Sequence, residues 1–76
     1  MSISEIKDYL EGKDKLRLVY NKVNQEYRTV SELLRLFAKS HKKITFETMK
    51  YRLLLLQEAG LIERKDFKGR IYWRLK

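Results

Sequence analysis

The chain has 76 residues, no cysteine, one histidine and a formal net charge of +8 at pH 7. That length makes one domain over residues 1–76 the expectation, thinly stabilised because it buries only about 60% of its unfolded surface. Without cysteine there is no disulfide or thiolate chemistry, and His41 alone cannot build a metal site of the usual ligand number, so no metal, cofactor or small-molecule ligand is expected.

At the start, "MSISEIKDYLEG" is acidic rather than basic and apolar, and no apolar run approaches the roughly 18 residues of a membrane span. The expectation is a cytoplasmic protein, nucleoid-associated, with no membrane partner. Ser2 with Glu5 forms a capping box and Met1 with Ile6 a hydrophobic staple, opening an extra helix in residues 1–12 that Gly12 ends. A second helix runs from about Asp14, with Leu16, Val19, Tyr20 and Val23 on one face, and fades at "NQE". Tyr27 and Arg28 make a short extended link. Thr29 with Glu32 repeats the capping box and starts a helix whose Val30, Leu33, Leu34 and Phe37 point inward, ended by "KSHKK". Ile44 and Met49 staple the next helix, about 45–59, which begins at Thr45, turns Phe46, Met49, Leu53 and Leu56 inward and closes at Gly60. From about 61 to 75 the period changes to alternation. "LIERK" and "RIYWRL" flank "DFKG" as a β-hairpin, with Ile62, Ile71, Trp73 and Leu75 toward the core and Lys65, Phe67, Arg70, Tyr72 and Arg74 outward.

This order predicts an α+β fold, mostly α: a helix-turn-helix with a wing over 14–76, preceded by an extra N-terminal helix. From about Asp14 to Lys76 the chain resembles the winged helix-turn-helix DNA-binding domains of archaeal and bacterial regulators. The residues that carry the likeness are "TVSELLRLFAKS", "TFETMKYRL" at the recognition helix, "EAGLIERK" and "FKGRIYWRL". "EAGLIER" followed by a basic hairpin is similar to arsenic-responsive and multiple-antibiotic-resistance type repressors; the size also resembles that of the small winged-helix regulators of crenarchaeal plasmid-virus hybrids, and the composition suits a hyperthermophile. The resemblance implies double-stranded DNA as partner, a regulatory role with repression ahead of activation, and a recognition helix whose N-terminal part enters the major groove.

The charge distribution points the same way. Residues 1–12 set Lys7 against Glu5, Asp8 and Glu11, so the cationic excess belongs to the winged-helix part. Lys39, Lys42 and Lys43 cluster before the recognition helix, and the hairpin carries Lys65, Lys68, Arg70 and Arg74. Phosphates flank a groove on both sides, so a helix lying in it gains from cations at its entrance and from a wing on the neighbouring backbone. The expected base readers are Glu47, Thr48, Lys50, Tyr51 and Arg52: Lys or Arg for guanine, Thr for a thymine methyl, Glu for cytosine N4. Glu47 equally suits the helix dipole at a first turn. Backbone anchors are expected at Thr29, Ser31 and Thr45, where free amide N–H groups and hydroxyls meet phosphate, together with the three turn lysines. His41 reads as an exposed turn residue and Trp73 as core.

Four leucines at 53–56 cannot all face one core, because successive helical residues turn by about 100°. Leu53 and Leu56 belong to the inward stripe. Leu54 and Leu55 project away from it, and cover by a second copy in a homodimer, or by the stripe Ile3, Ile6, Tyr9 and Leu10 of the N-terminal helix, is the expectation, with contact to DNA sugars as the residual case. Enzymatic function is not expected, since the sequence offers neither a phosphate-binding glycine loop nor a His or Cys pair. The alternative reading is a winged-helix protein-interaction module within a transcription or replication assembly.

Overall fold

Two threonines start the helices that organise this chain. The Thr29 hydroxyl accepts the Glu32 amide N–H at 3.2 Å, and the Glu32 carboxylate accepts the Thr29 N–H at 3.5 Å, which completes the expected capping box. At Thr45 the hydroxyl accepts the Thr48 N–H at 3.1 Å. The computed structural model describes the backbone of residues 3–76 and the side chains of residues 4–76. Its elements are α1 (Ile3–Leu10), α2 (Asp14–Tyr20), α3 (Val30–Ser40), α4 (Phe46–Glu58), β1 (Ile62–Phe67) and β2 (Arg70–Leu75). The Ser2–Glu5 box, the Met1–Ile6 staple and the Ile3 side chain fall wholly or partly outside the described residues.

Helix α4 is the centre of the packing: α2, α3 and β1 all lie against it, while α1 docks on α2 and β2 on α3. Met49, Leu53 and Leu56 of α4 are completely buried with Val19 of α2, and Leu33, Phe37, Ile62 and Trp73 close around them. Gly60 ends α4. Its φ of 80° lets the Gly60 N–H reach the Gln57 carbonyl at 2.9 Å and the Leu61 N–H reach the Leu56 carbonyl at 3.1 Å. Those two bonds satisfy carbonyls that a helix end leaves orphaned, and they deliver buried Leu61 and Ile62 directly to the core.

The hairpin pairs antiparallel from Ile62↔Leu75 to Phe67↔Arg70. Its turn is tighter than the four residues "DFKG". Strand β1 runs on through Asp66 and Phe67, and only Lys68 and Gly69 turn, with φ of 50° and 78°. A two-residue loop with both φ positive has the twist that matches paired strands. The sheet also recruits the link before α3: Arg28 and Trp73 exchange backbone hydrogen bonds of 2.9 and 2.8 Å.

Three other expectations are corrected. Helix α2 ends at Tyr20, before "NQE", and Val23 reaches the core from the turn that follows. Phe46 was expected inside but is 47% exposed, because the first turn of α4 overhangs the core and Ile44, from the preceding turn, packs there instead. Ile71 was also expected inside and is 36% exposed. Its strand face is the inward one, but the tip of the hairpin extends beyond the helices that cover Trp73.

Candidate nucleic-acid interface

Those two exposed apolar residues face the same space. The start of α3, the start of α4 and the tip of the wing wall an open concavity of about 750 Å³. Thr29, Ser31 and Arg35 line it from α3, Phe46 and Lys50 from α4, and Gly69, Arg70 and Ile71 from the hairpin. Three cations with no carboxylate partner among the described ion pairs, Arg35, Lys50 and Arg70, therefore converge from three different elements. Glu32, also on the wall, is engaged by the Thr29 cap and by Arg28 at 3.7 Å. The cavity is open, polar at its rim and apolar at Phe46, Ile71 and Trp73, which suits a surface carrying both charge and flat apolar groups.

The expected base readers divide between two flanks of α4. Lys50 faces the concavity, whereas Glu47, Thr48, Tyr51 and Arg52 border a second hollow of about 480 Å³ shared with Lys15 and Leu16 of α2. Tyr51 is 63% exposed, and the Thr48 hydroxyl is held by that of Thr45 at 2.8 Å. Among the expected anchors, Thr29 and Ser31 line the concavity. Lys39, Lys42, Lys43 and Thr45 are exposed about the α3–α4 turn, outside its lining. His41 ends α3 and its ring lies 4.8 Å from that of Phe37, a packing role.

On the wing, Arg70 faces the concavity and Lys68 stands at the tip. Lys65 and Arg74 lie on the same strand face as Arg70, away from the core, and Arg70 reaches the concavity from the end of that face; Arg74 is hydrogen-bonded to Glu63. That bond holds the Arg74 guanidinium above its ordinary pKa, with slight burial pulling the other way. Leu54 and Leu55 are half-buried and packed partly against the core; with Tyr51, Gln57 and Glu58 they border a groove of about 420 Å³. Helix α1 contributes buried Leu10 and half-buried Ile6 and Tyr9 to the core, and docks on α2.

Sequence reasoning missed Arg35, Phe46 and Ile71 as concavity residues. Arg35 is one helical turn beyond Ser31 on the exposed side of α3, a spacing that could have joined it to the Ser31 site. Phe46 follows an N-cap directly, and first-turn residues often overhang. No such signal exists for Ile71, whose alternation correctly gives its face but not its distance from the helices.

No family model matches the sequence, and no curated protein matches it. In structure the chain is similar to the predicted DNA-binding transcriptional regulator from E. coli, with a TM-score of 0.70 and 15% sequence identity over 96% of this chain and 72% of that one. Among the described residues no helix is long and apolar enough to cross a membrane. Helices followed by an antiparallel hairpin, in this order and with this backbone likeness, give the chain a winged-helix α+β fold.

Proposed function

We propose that this protein binds double-stranded DNA sequence-specifically and regulates transcription by occupying promoter sites, as a repressor rather than an activator. The observation that carries the reading is the convergence of Arg35, Lys50 and Arg70, from α3, α4 and the wing, on one open concavity beside an N-terminal helix start. A duplex offers matching parts: phosphate rows on either side of a groove wide enough for a helix. In this reading the first turns of α4 enter the major groove. Lys50 addresses base edges from the concavity side, and Glu47, Thr48, Tyr51 and Arg52 from the flank toward α2. The start of α3, through Thr29, Ser31 and Arg35, holds one backbone, and Arg70 and Lys68 of the wing hold the next. Lys39, Lys42, Lys43 and Thr45 add cationic and hydroxyl contacts at the entrance.

The lysine- and arginine-rich, cysteine-free composition supports an archaeal, hyperthermophilic source and a cytoplasmic, nucleoid-associated location. No cofactor or catalytic role is assigned. The concentration of the protein itself is the proposed control. The second reading, a protein-interaction module, is favoured by one observation: Leu54 and Leu55 border an open groove beside the exposed Tyr51. A homodimer that covers this groove joins the two readings.

The test is selection of bound sequences from a random duplex pool, followed by affinity measurements on the selected site against salt. A defined motif and a log-log slope of roughly −4 to −6 are expected, since the cationic groups named above would neutralise several phosphates. Palindromy in the motif would report a dimer. No enrichment together with a slope near zero removes the DNA reading and leaves the interaction module.

A further inference from the structure

The outer face of the wing has a composition of its own. Strand alternation places Lys65, Phe67, Arg70, Tyr72 and Arg74 there, with Arg70 at the end that borders the concavity, and Tyr27, in the link before α3, lies against this face. Tyr27, Phe67 and Tyr72 surround, with Lys65, a slot of about 190 Å³, large enough to admit one nucleobase. Three cations close by lie over rings: Lys65 Nζ is 5.3 Å from the Tyr27 centroid and 5.4 Å from that of Phe67, Lys68 Nζ is 5.3 Å from Phe67, and the Arg74 guanidinium is 4.5 Å from Tyr27. Phe67 is 50% exposed at the end of a strand, opposite Arg70, where hairpin geometry asks for no aromatic ring. Glu63, the carboxylate on this face, is taken by Arg74 and by the Tyr27 hydroxyl at 3.5 Å.

We propose that this outer wing face is a second nucleic-acid site, which binds unpaired bases of single-stranded DNA. A strand without a complement presents a flat π-face at each base and a phosphate between bases, and sites for such strands combine stacking rings with a cationic track. Here the same parts lie within one hairpin and its neighbouring link. Exposed cation–π contacts are weak, so a base readily replaces a lysine at a ring. The displaced ammonium of Lys65 or Lys68 is then within reach of the phosphate that accompanies the base. A duplex hides its base faces inside the stack, so it can use these cations but not the rings. The proposal stands apart from the duplex reading, because the slot and the concavity share no lining residue.

The experiment is fluorescence anisotropy with an end-labelled oligothymidylate, the same oligonucleotide made abasic, and a duplex, against the wild type, Phe67→Ala and Phe67→Trp. Phe67 is half in water, so neither variant is expected to disturb folding, and thermal melting checks that. The expected result is single-strand binding that falls at least about tenfold in Phe67→Ala and for the abasic strand, is retained in Phe67→Trp, and leaves duplex affinity unchanged. The proposal is overturned if wild type and Phe67→Ala bind oligothymidylate equally, if the abasic strand binds as well as the base-bearing one, or if Phe67→Ala weakens duplex and single strand in parallel. Tighter binding of oligouridylate than of oligothymidylate overturns the assignment to DNA.

Discussion

The root and the tip of the hairpin are a few residues apart and obey different rules. At the root Trp73 is 1% exposed and Ile62 equally so, while the backbone bonds to Arg28 tie the strand to the link before α3. The Trp73 indole N–H is buried with no hydrogen-bond partner, so apolar packing and backbone pairing hold this end. At the tip, residues 67–71 are all exposed, and the two positive φ angles of the turn shape it. The root therefore fixes where the wing stands, and the tip displays what the wing carries. Stability and binding should separate along a single pair of strands.

The widest separation comes from Trp73→Ala, expected to cost about 3–5 kcal/mol in urea unfolding, a large part of the roughly 5–15 kcal/mol of a typical domain. A cost below about 1 kcal/mol would mean that the root is not what anchors the hairpin. Next is Gly69→Ala at the tip, where a Cβ meets no neighbour but the φ of 78° penalises an L side chain. The expected loss is about 1–2 kcal/mol by the same measurement. Arg70→Ala should leave stability within about 0.5 kcal/mol, yet reduce the salt slope of duplex binding by about 1 and weaken all sequences alike. Stability loss without a change in slope would reverse the assignment of roles. The smallest effect belongs to Lys68→Asn. Lys68 has a φ of 50°, which asparagine tolerates better, so a gain of a few tenths of a kcal/mol is expected alongside weaker nucleic-acid binding.

Much of the fold was legible because local chemistry writes it. Thr29 with Glu32, Thr45, and Gly60 mark helix ends through bonds that reach no further than a few residues, and the structure contains each of them. Periodicity placed Met49, Leu53 and Leu56 inward for the same reason. It failed at Phe46 and Ile71. A period tells which side of an element faces the core, but not whether the core extends to that element's end. The convergence of Arg35 with Arg70, and the approach of Tyr27 to the outer wing, depend on tertiary placement across chain separations that no spacing rule spans.

The Arg28 to Trp73 pairing has a mechanical consequence. Arg28 is covalently next to Thr29, the cap of α3, so the strand behind the wing and the first residue of α3 are neighbouring links of one stiff joint. The mouth between them is thus set before anything enters it. Little backbone freedom is then left to lose on association, and the affinity gained from each contact is not spent on ordering the jaws. A mouth of fixed gauge also measures what it closes around. On the proposed duplex reading, two segments that offer identical base edges but differ in groove width would fit it unequally, and the stiffness of one joint would discriminate sequence through shape.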